Sequence, residues 1–323
     1  MLYHFERQGL IVEKSGVCIM EYFVIIMAVL CFALQFAFTK AFEGVVKQTA
    51  VTSLIMLLFT NLIGVLLFLC VGGFKVGFSL FSLLWATVFA VIMIPYYMIG
   101  IKVLSIGSLA IYSMFMMLGG MLVPYFYGIC FLAEDITWGK VVGCVLLTGF
   151  IILQTFSQKS TGSEEKNKSK RMRFLFFALC LIIFFINGMT GVIAKVHQIG
   201  ENAVSDISFT VLSCAITAIL SGVMLGGVFL VKPREEKWKL VKSCFHWKPL
   251  LTMALLGMAA YSGNFLQLKA ASKVPASVQF PLVSGGVIVL SALFSVFIFK
   301  EKLTKKEWIS VAGAFLATFF FAF

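Results

Sequence analysis

The side chains in this sequence best suited to chemistry are uncharged hydrogen-bonding groups set inside long apolar runs. Asn187 lies near the centre of the run 174–196, and Tyr261, Asn264 and Gln267 recur at a spacing of three within 249–268. On a helix this spacing places the trio on one face, where two amides and a phenol can hydrogen-bond a polar solute. Pro95-Tyr96-Tyr97 sits in the middle of 83–101. A proline there frees a carbonyl and kinks the helix, which opens room beside two phenols. Tyr112 and Gln279 occupy corresponding early positions in two further runs, and Gln35 faces the region around Thr190. These residues are the expected lining of a solute site. Lys195 joins them as an anchor for an anionic group. It lies about two turns, roughly 12 Å, from Asn187, so snorkelling to the membrane interface is the competing fate. For the amides and phenols the competing role is interhelical hydrogen bonding, which averages ~0.6 kcal/mol in membranes.

Such groups bind; they do not catalyse. His4, His197 and His246 read as tail or loop residues, and no pair of span-embedded Asp residues is available for a protease dyad, so no catalytic residue and no enzyme is expected. The cysteines are scattered singly without a CxxC pair and read as small hydrophobes, so no metal site or cofactor is expected. Glu21, Glu43, Glu134, Asp135, Glu201, Asp206 and Glu301 fall at helix ends or in loops. Proton coupling through a mid-span carboxylate is therefore not expected, and exchange or facilitated diffusion fits better.

The composition names the solvent in which these groups are held. Of 323 residues, 61% are hydrophobic and 12% charged, and the mean hydropathy is +1.03. Soluble domains carry ~25% charged residues, so this chain is expected to fold in a bilayer. Soluble enzymes, nucleic-acid-binding modules and disulfide-stapled secreted domains are excluded, and the net charge of +12 reads as loop charge at a membrane face. Apolar runs predict an all-α integral membrane protein of ten transmembrane helices: 22–42, 51–71, 83–101, 109–132, 138–156, 174–196, 207–231, 249–268, 276–299 and 308–323. Residues 1–19 read as an N-terminal extension, with Met20 as an alternative start that would leave them untranslated. Residues 157–173 form a polar linker between 20–156 and 174–323, and 232–248 a second polar loop. Gly139-x-x-x-Gly143 and Gly222-x-x-x-Gly226 read as close intramolecular helix contacts.

The two halves resemble each other. Gly119-Gly120 leads through an apolar helix to Glu134-Asp135-Ile136-Thr137 and then Gly143; Gly285-Gly286 leads likewise to Glu301-Lys302-Leu303-Thr304 and then Gly313. Phe38-Thr39-Lys40 has a counterpart in Ile193-Ala194-Lys195, and Gly72-Gly73 in Gly226-Gly227. Five crossings per repeat return the chain to the opposite side, so the second repeat inserts upside down, a recurring plan of secondary transporters.

With these motifs the chain from Met20 to Phe323 resembles the EamA-like branch of the drug/metabolite transporter (DMT) superfamily. The resemblance implies a permease of two inverted five-helix EamA-like repeats, with a cavity lined chiefly by helices 1, 3, 4, 6, 8 and 9. It implies alternating-access movement, in the export direction, of a small organic solute such as a metabolite, amino acid or drug-like compound. The expected location is the cell membrane as a multi-pass protein. The expected partners are a small-molecule substrate and the lipid bilayer, with no nucleic acid, and the expected state is a monomer or weak homodimer. A non-transporting scaffold or assembly subunit and a lipid-linked substrate flippase are the alternatives. Lys and Arg concentrate in the odd-numbered connections, which by charge places both termini outside, whereas the resemblance places them inside.

Overall fold

A computed structural model of the chain describes residues 2–47, 49–132, 137–155, 165–231, 234–271, 274 and 276–320. Among these, every regular element is a helix: α1 (Leu2–Val45), α2 (Ala50–Val71), α3 (Leu80–Ile106), α4 (Leu109–Leu132), α5 (Trp138–Thr155), α6 (Glu165–Gln198), α7 (Asp206–Val231), α8 (Arg234–Cys244), α9 (Trp247–Ala271), α10 (Ala276–Phe297) and α11 (Lys305–Phe319). Helices are the outcome that long apolar runs require, because a backbone in hydrocarbon must satisfy its own N–H and C=O groups. Where the runs meet polar sequence, side chains close the ends. Thr49 and Thr52 form a reciprocal cap on α2, Ser79 caps α3, and Thr304 with Glu307 caps α11.

Among the described residues, seven helices are long and apolar enough to cross a membrane: Met20–Val45, Ala50–Val71, Leu80–Ile106, Leu109–Phe131, Phe174–Gln198, Asp206–Leu230 and Trp247–Ala270. Trp138–Phe150 and Leu282–Phe297 are shorter apolar helices, and α11 opens on Lys305-Lys306-Glu307. Two polar stretches are more ordered than the sequence suggested. Helix α6 begins at Glu165, inside the stretch read as a linker, and α8 occupies the stretch read as a second polar loop. Both segments are rich in Lys, Glu and Arg, which are good helix formers. Cys244 of α8 is fully buried, and Leu240 and Val241 pack beside it on a cluster built from Phe42, Val46, Ile55 and Met253. Burial pushes the Cys244 thiol up to about 11, against a lowering hydrogen bond from Ser243. At pH 7.5, N-ethylmaleimide is therefore expected to spare Cys244 while modifying the exposed Cys70 and Cys130, and Cys244 labelling should rise with pH as thiolate forms. Mass spectrometry of peptides from labelled protein checks this.

The helices cross-pack between the two halves of the chain. Helix α1 lies against α9 and α10, and α6 against α3 and α4; α2 pairs with α7, α4 with α10, and α5 with α11. The α4–α6 crossing depends on absent side chains. A Cβ on Gly119 would sit 2.1 Å from the Phe184 carbonyl oxygen, and one on Gly188 would sit 2.3 Å from Val123 Cβ. Gly222 and Gly226 behave differently from the expectation, because a Cβ at either meets nothing within 4 Å among the described residues. Gly119→Val should accordingly lose more than the ~1–3 kcal/mol of ordinary overpacking, and Gly226→Val should be near neutral, as read by thermal unfolding in detergent.

Candidate solute-binding cleft

A small cleft opens among α1, α3 and α4, lined by Gln35, Phe36, Thr39, Tyr96, Tyr97, Gly100, Ile101 and Tyr112. Helical spacing gathers them: 35, 36 and 39 form one turn of α1, and 96, 97, 100 and 101 one turn of α3. The Tyr112 hydroxyl reaches α3 because residue 100 is glycine; a Cβ there would lie 2.7 Å from that oxygen. The Tyr112 ring meets Phe36 edge-on at 5.8 Å, and the Tyr96 and Tyr97 rings meet at 5.3 Å and 75°. Tyr96 donates to Met116 Sδ at 3.2 Å, and Thr39 Oγ1 donates to the Gln35 backbone carbonyl at 2.8 Å. Gln35 thus lines the cleft beside aromatic rings and phenols, with no charged side chain in the lining.

Four of the ten residues expected to line a site, Gln35, Tyr96, Tyr97 and Tyr112, come together here. The other six do not line this cleft. Asn187 Nδ2 donates to the Met116 carbonyl at 2.7 Å, an α6–α4 tie one residue removed from Tyr96. Tyr261 is buried and donates to Asn61 Oδ1 at 2.8 Å, while Asn61 Nδ2 donates to the Leu57 carbonyl at 2.8 Å. Asn264 is exposed and bonds back to the Ala260 carbonyl at 2.9 Å. The trio divides because each step of three residues turns about 60° short of a full revolution, so its ends stand about 120° apart. Gln267 accepts at its backbone carbonyl from Gln279 Nε2 at 2.6 Å, which ties α9 to the start of α10. Lys195 is half-buried in the last turn of α6.

Two clusters escaped the sequence reading. His197, expected in a loop, is 1% exposed in α6, stacked 3.9 Å from the Phe209 ring, with Nε2 2.9 Å from Ser82 Oγ. The second cluster is electrostatic. The sequence points to Lys195 as an inward-reaching cation, whereas it is Lys40 of α1 that forms an ion pair with Glu301 just beyond α10. Lys40 Nζ also donates to the Gly107 carbonyl at 3.0 Å, at the C-terminal end of α3. The Glu301 carboxylate accepts from Ser108 Oγ and Leu109 N, each at 3.1 Å, and from Ser295 Oγ. Cation and anion thus sit on the matching ends of two helix dipoles. Lys300, at φ 53°, turns the chain out of α10 just before Glu301. The Glu-x-x-Thr motif is now explained locally: Glu301 makes this pair and Thr304 caps α11. The equivalent Glu134 and Asp135 lie outside the described residues.

Residues 172–323 match the model of the EamA-like transporter family. The second half of the chain is thus similar to an EamA-like transporter domain. With its apolar helices, this makes the chain a multi-pass membrane protein. The EamA-like half holds Asn187, Lys195, Tyr261, Gln279 and Glu301, whereas Lys40 and every residue lining the cleft precede it. A solved structure described only as "Crystal structure of protein" is similar at 15% identity over 94% of this chain and 97% of that one, with a TM-score of 0.54. At that identity the likeness shows the fold alone, and the fold extends across the EamA-like half and the half before it. No curated protein matches the chain.

Proposed function

We propose that the chain is a cell-membrane permease of the drug/metabolite transporter type, built as two inverted repeats of five helices, which moves a small organic solute by alternating access. The repeats are α1–α5 and then α6, α7, α9, α10 and α11, with α8 as an insertion. The observation that carries the reading is the exchange of packing partners. Helix α1 lies on α9 and α10 as α6 lies on α3 and α4, while α2–α7, α4–α10 and α5–α11 pair like with like. A two-fold relation between the halves produces this pattern, and rocking of one half against the other then exposes a shared path to each side in turn. The α1–α3–α4 cleft supplies the solute contacts: the Gln35 amide, the Tyr97 and Tyr112 phenols, and the ring faces of Phe36 and Tyr96. This lining favours uncharged hydrogen-bonding solutes with apolar or aromatic parts over strongly charged ones. Export is the proposed direction.

Purified protein reconstituted into liposomes and exposed to a pooled metabolite extract tests this reading. Mass spectrometry should find specific solutes equilibrating across the membrane that do not cross protein-free liposomes. Equal permeation in both would favour a scaffold.

A further inference from the structure

We propose that Lys40 and Glu301, with Ser108, Ser295 and the first turn of α4, form a latch that closes the cleft toward the end of the bundle carrying α8. The inference deepens the permease reading and rests on it.

Each wall of the cleft continues directly into the latch: Thr39 adjoins Lys40 on α1, Gly100 and Ile101 lie one turn from the Leu104 carbonyl of α3 and about two from that of Gly107, and Tyr112 lies one turn from Ser108 on α4. Glu301 belongs to the other half of the chain, and it reaches across to close the gap at the end of α10. Polar groups from α1, α3, α4 and the end of α10 therefore meet at one end of the cleft. Deeper in, Ser113 and Ser291 meet at 2.5 Å along the same α4–α10 seam.

The contact is strong enough to define a state, yet it can be released. The Lys40 and Glu301 side chains are 13% and 18% exposed, so the charges are mostly out of water, and their partners compensate that desolvation. The links that cross between halves, Glu301 to Lys40, Ser108 and Leu109, are all polar, and water can replace each once the halves separate. An apolar seam would resist such wetting. Because Lys40 sits on the carbonyl end of α3 and Glu301 on the N–H end of α4, the latch has a polarity that a simple charge exchange would not reproduce.

The test reads access, not transport. Thr39→Cys places a thiol in the cleft, and a membrane-impermeant methanethiosulfonate ammonium reagent is applied to sealed vesicles of each orientation. Label gained over the parent chain is counted. With the latch intact, labelling from the α8 end should be slow. Glu301→Gln and Lys40→Gln should each speed it roughly tenfold from that end only, as a shift toward the open state. Ser108→Ala, which keeps both charges, should give a smaller increase in the same direction. Lys102→Gln, an exposed cation near the same end of α3, should change nothing. Unchanged rates in the latch variants, or equal acceleration from both ends, would overturn the latch. A selective increase without flux of any solute in liposomes would keep the latch and remove the permease reading. Flux without the selective increase would do the reverse.

Discussion

Gly100→Val should reduce solute flux at least tenfold in reconstituted vesicles while leaving a folded, monodisperse protein. The first added carbon would stand 2.7 Å from the Tyr112 hydroxyl, so the phenol must swing away. Two further methyl groups would then fill space between the tyrosines and Gln35. Displacing one hydrogen-bonding group and filling its space is worth about 1.4 kcal/mol or more at the binding step, which is the factor of ten. The protein should tolerate the change because the obstacle is the far end of a side chain bordering a cleft, unlike the backbone oxygen that faces Gly119. Gly149→Val is the matched control: a Cβ there meets nothing within 4 Å, and flux should be unaffected. Equal flux in both variants would place the solute path outside the α1–α3–α4 cleft.

Glu301→Ala should be among the most destabilising single substitutions of a polar residue in this chain, by about 3–5 kcal/mol, because it takes the paired carboxylate from a mostly buried ammonium and leaves it the Gly107 carbonyl and the charge of Glu43. It also removes the acceptor for Ser108 Oγ, Ser295 Oγ and the Leu109 N–H. The comparison that gives this meaning is Lys40→Met with Glu301→Met, which removes both charges and should recover much of the loss. Glu307→Ala is a useful contrast. Glu307 accepts from Thr304 N in the cap of α11, so its loss should cost only about 1 kcal/mol. Thermal unfolding of these three variants beside the parent chain in one detergent checks the order. A cost for Glu301→Ala no larger than that for Glu307→Ala would mean that the ion pair behaves as an exposed one, worth ~0–1 kcal/mol.

The sequence displayed its apolar helices readily, because twenty or so hydrophobic residues between polar breaks have few other stable arrangements in lipid. It also displayed Gln35, Tyr96, Tyr97 and Tyr112, since a polar group within a span stands out against its neighbours. It could not show which polar groups share a cavity. Asn187 and Tyr261 looked equivalent to Tyr112, yet each is spent on a neighbouring helix, the Met116 carbonyl for one and Asn61 for the other. That choice is made by how helices rotate against each other, which no local pattern encodes. Lys40 and Glu301 were missed for the opposite reason: near span ends, both read as interfacial charges, and their pairing joins residues 261 positions apart. The sequence did carry a hint, since Lys40 and Glu301 both fall inside the motifs that resemble each other between the halves. Helix α8 was hidden by its own polarity, because the few residues that bury it, Leu240, Val241 and Cys244, fall among lysines.

The most direct test of the central claim, that the solute passes through the α1–α3–α4 cleft, is protection of a thiol placed there. In vesicles containing the Thr39→Cys variant, a solute found to cross in the liposome screen should slow alkylation at position 39 in proportion to its occupancy. Alkylation of Ser105→Cys, exposed near the end of α3, should be unchanged. A solute that crosses readily yet leaves the alkylation rate at position 39 untouched would contradict the account.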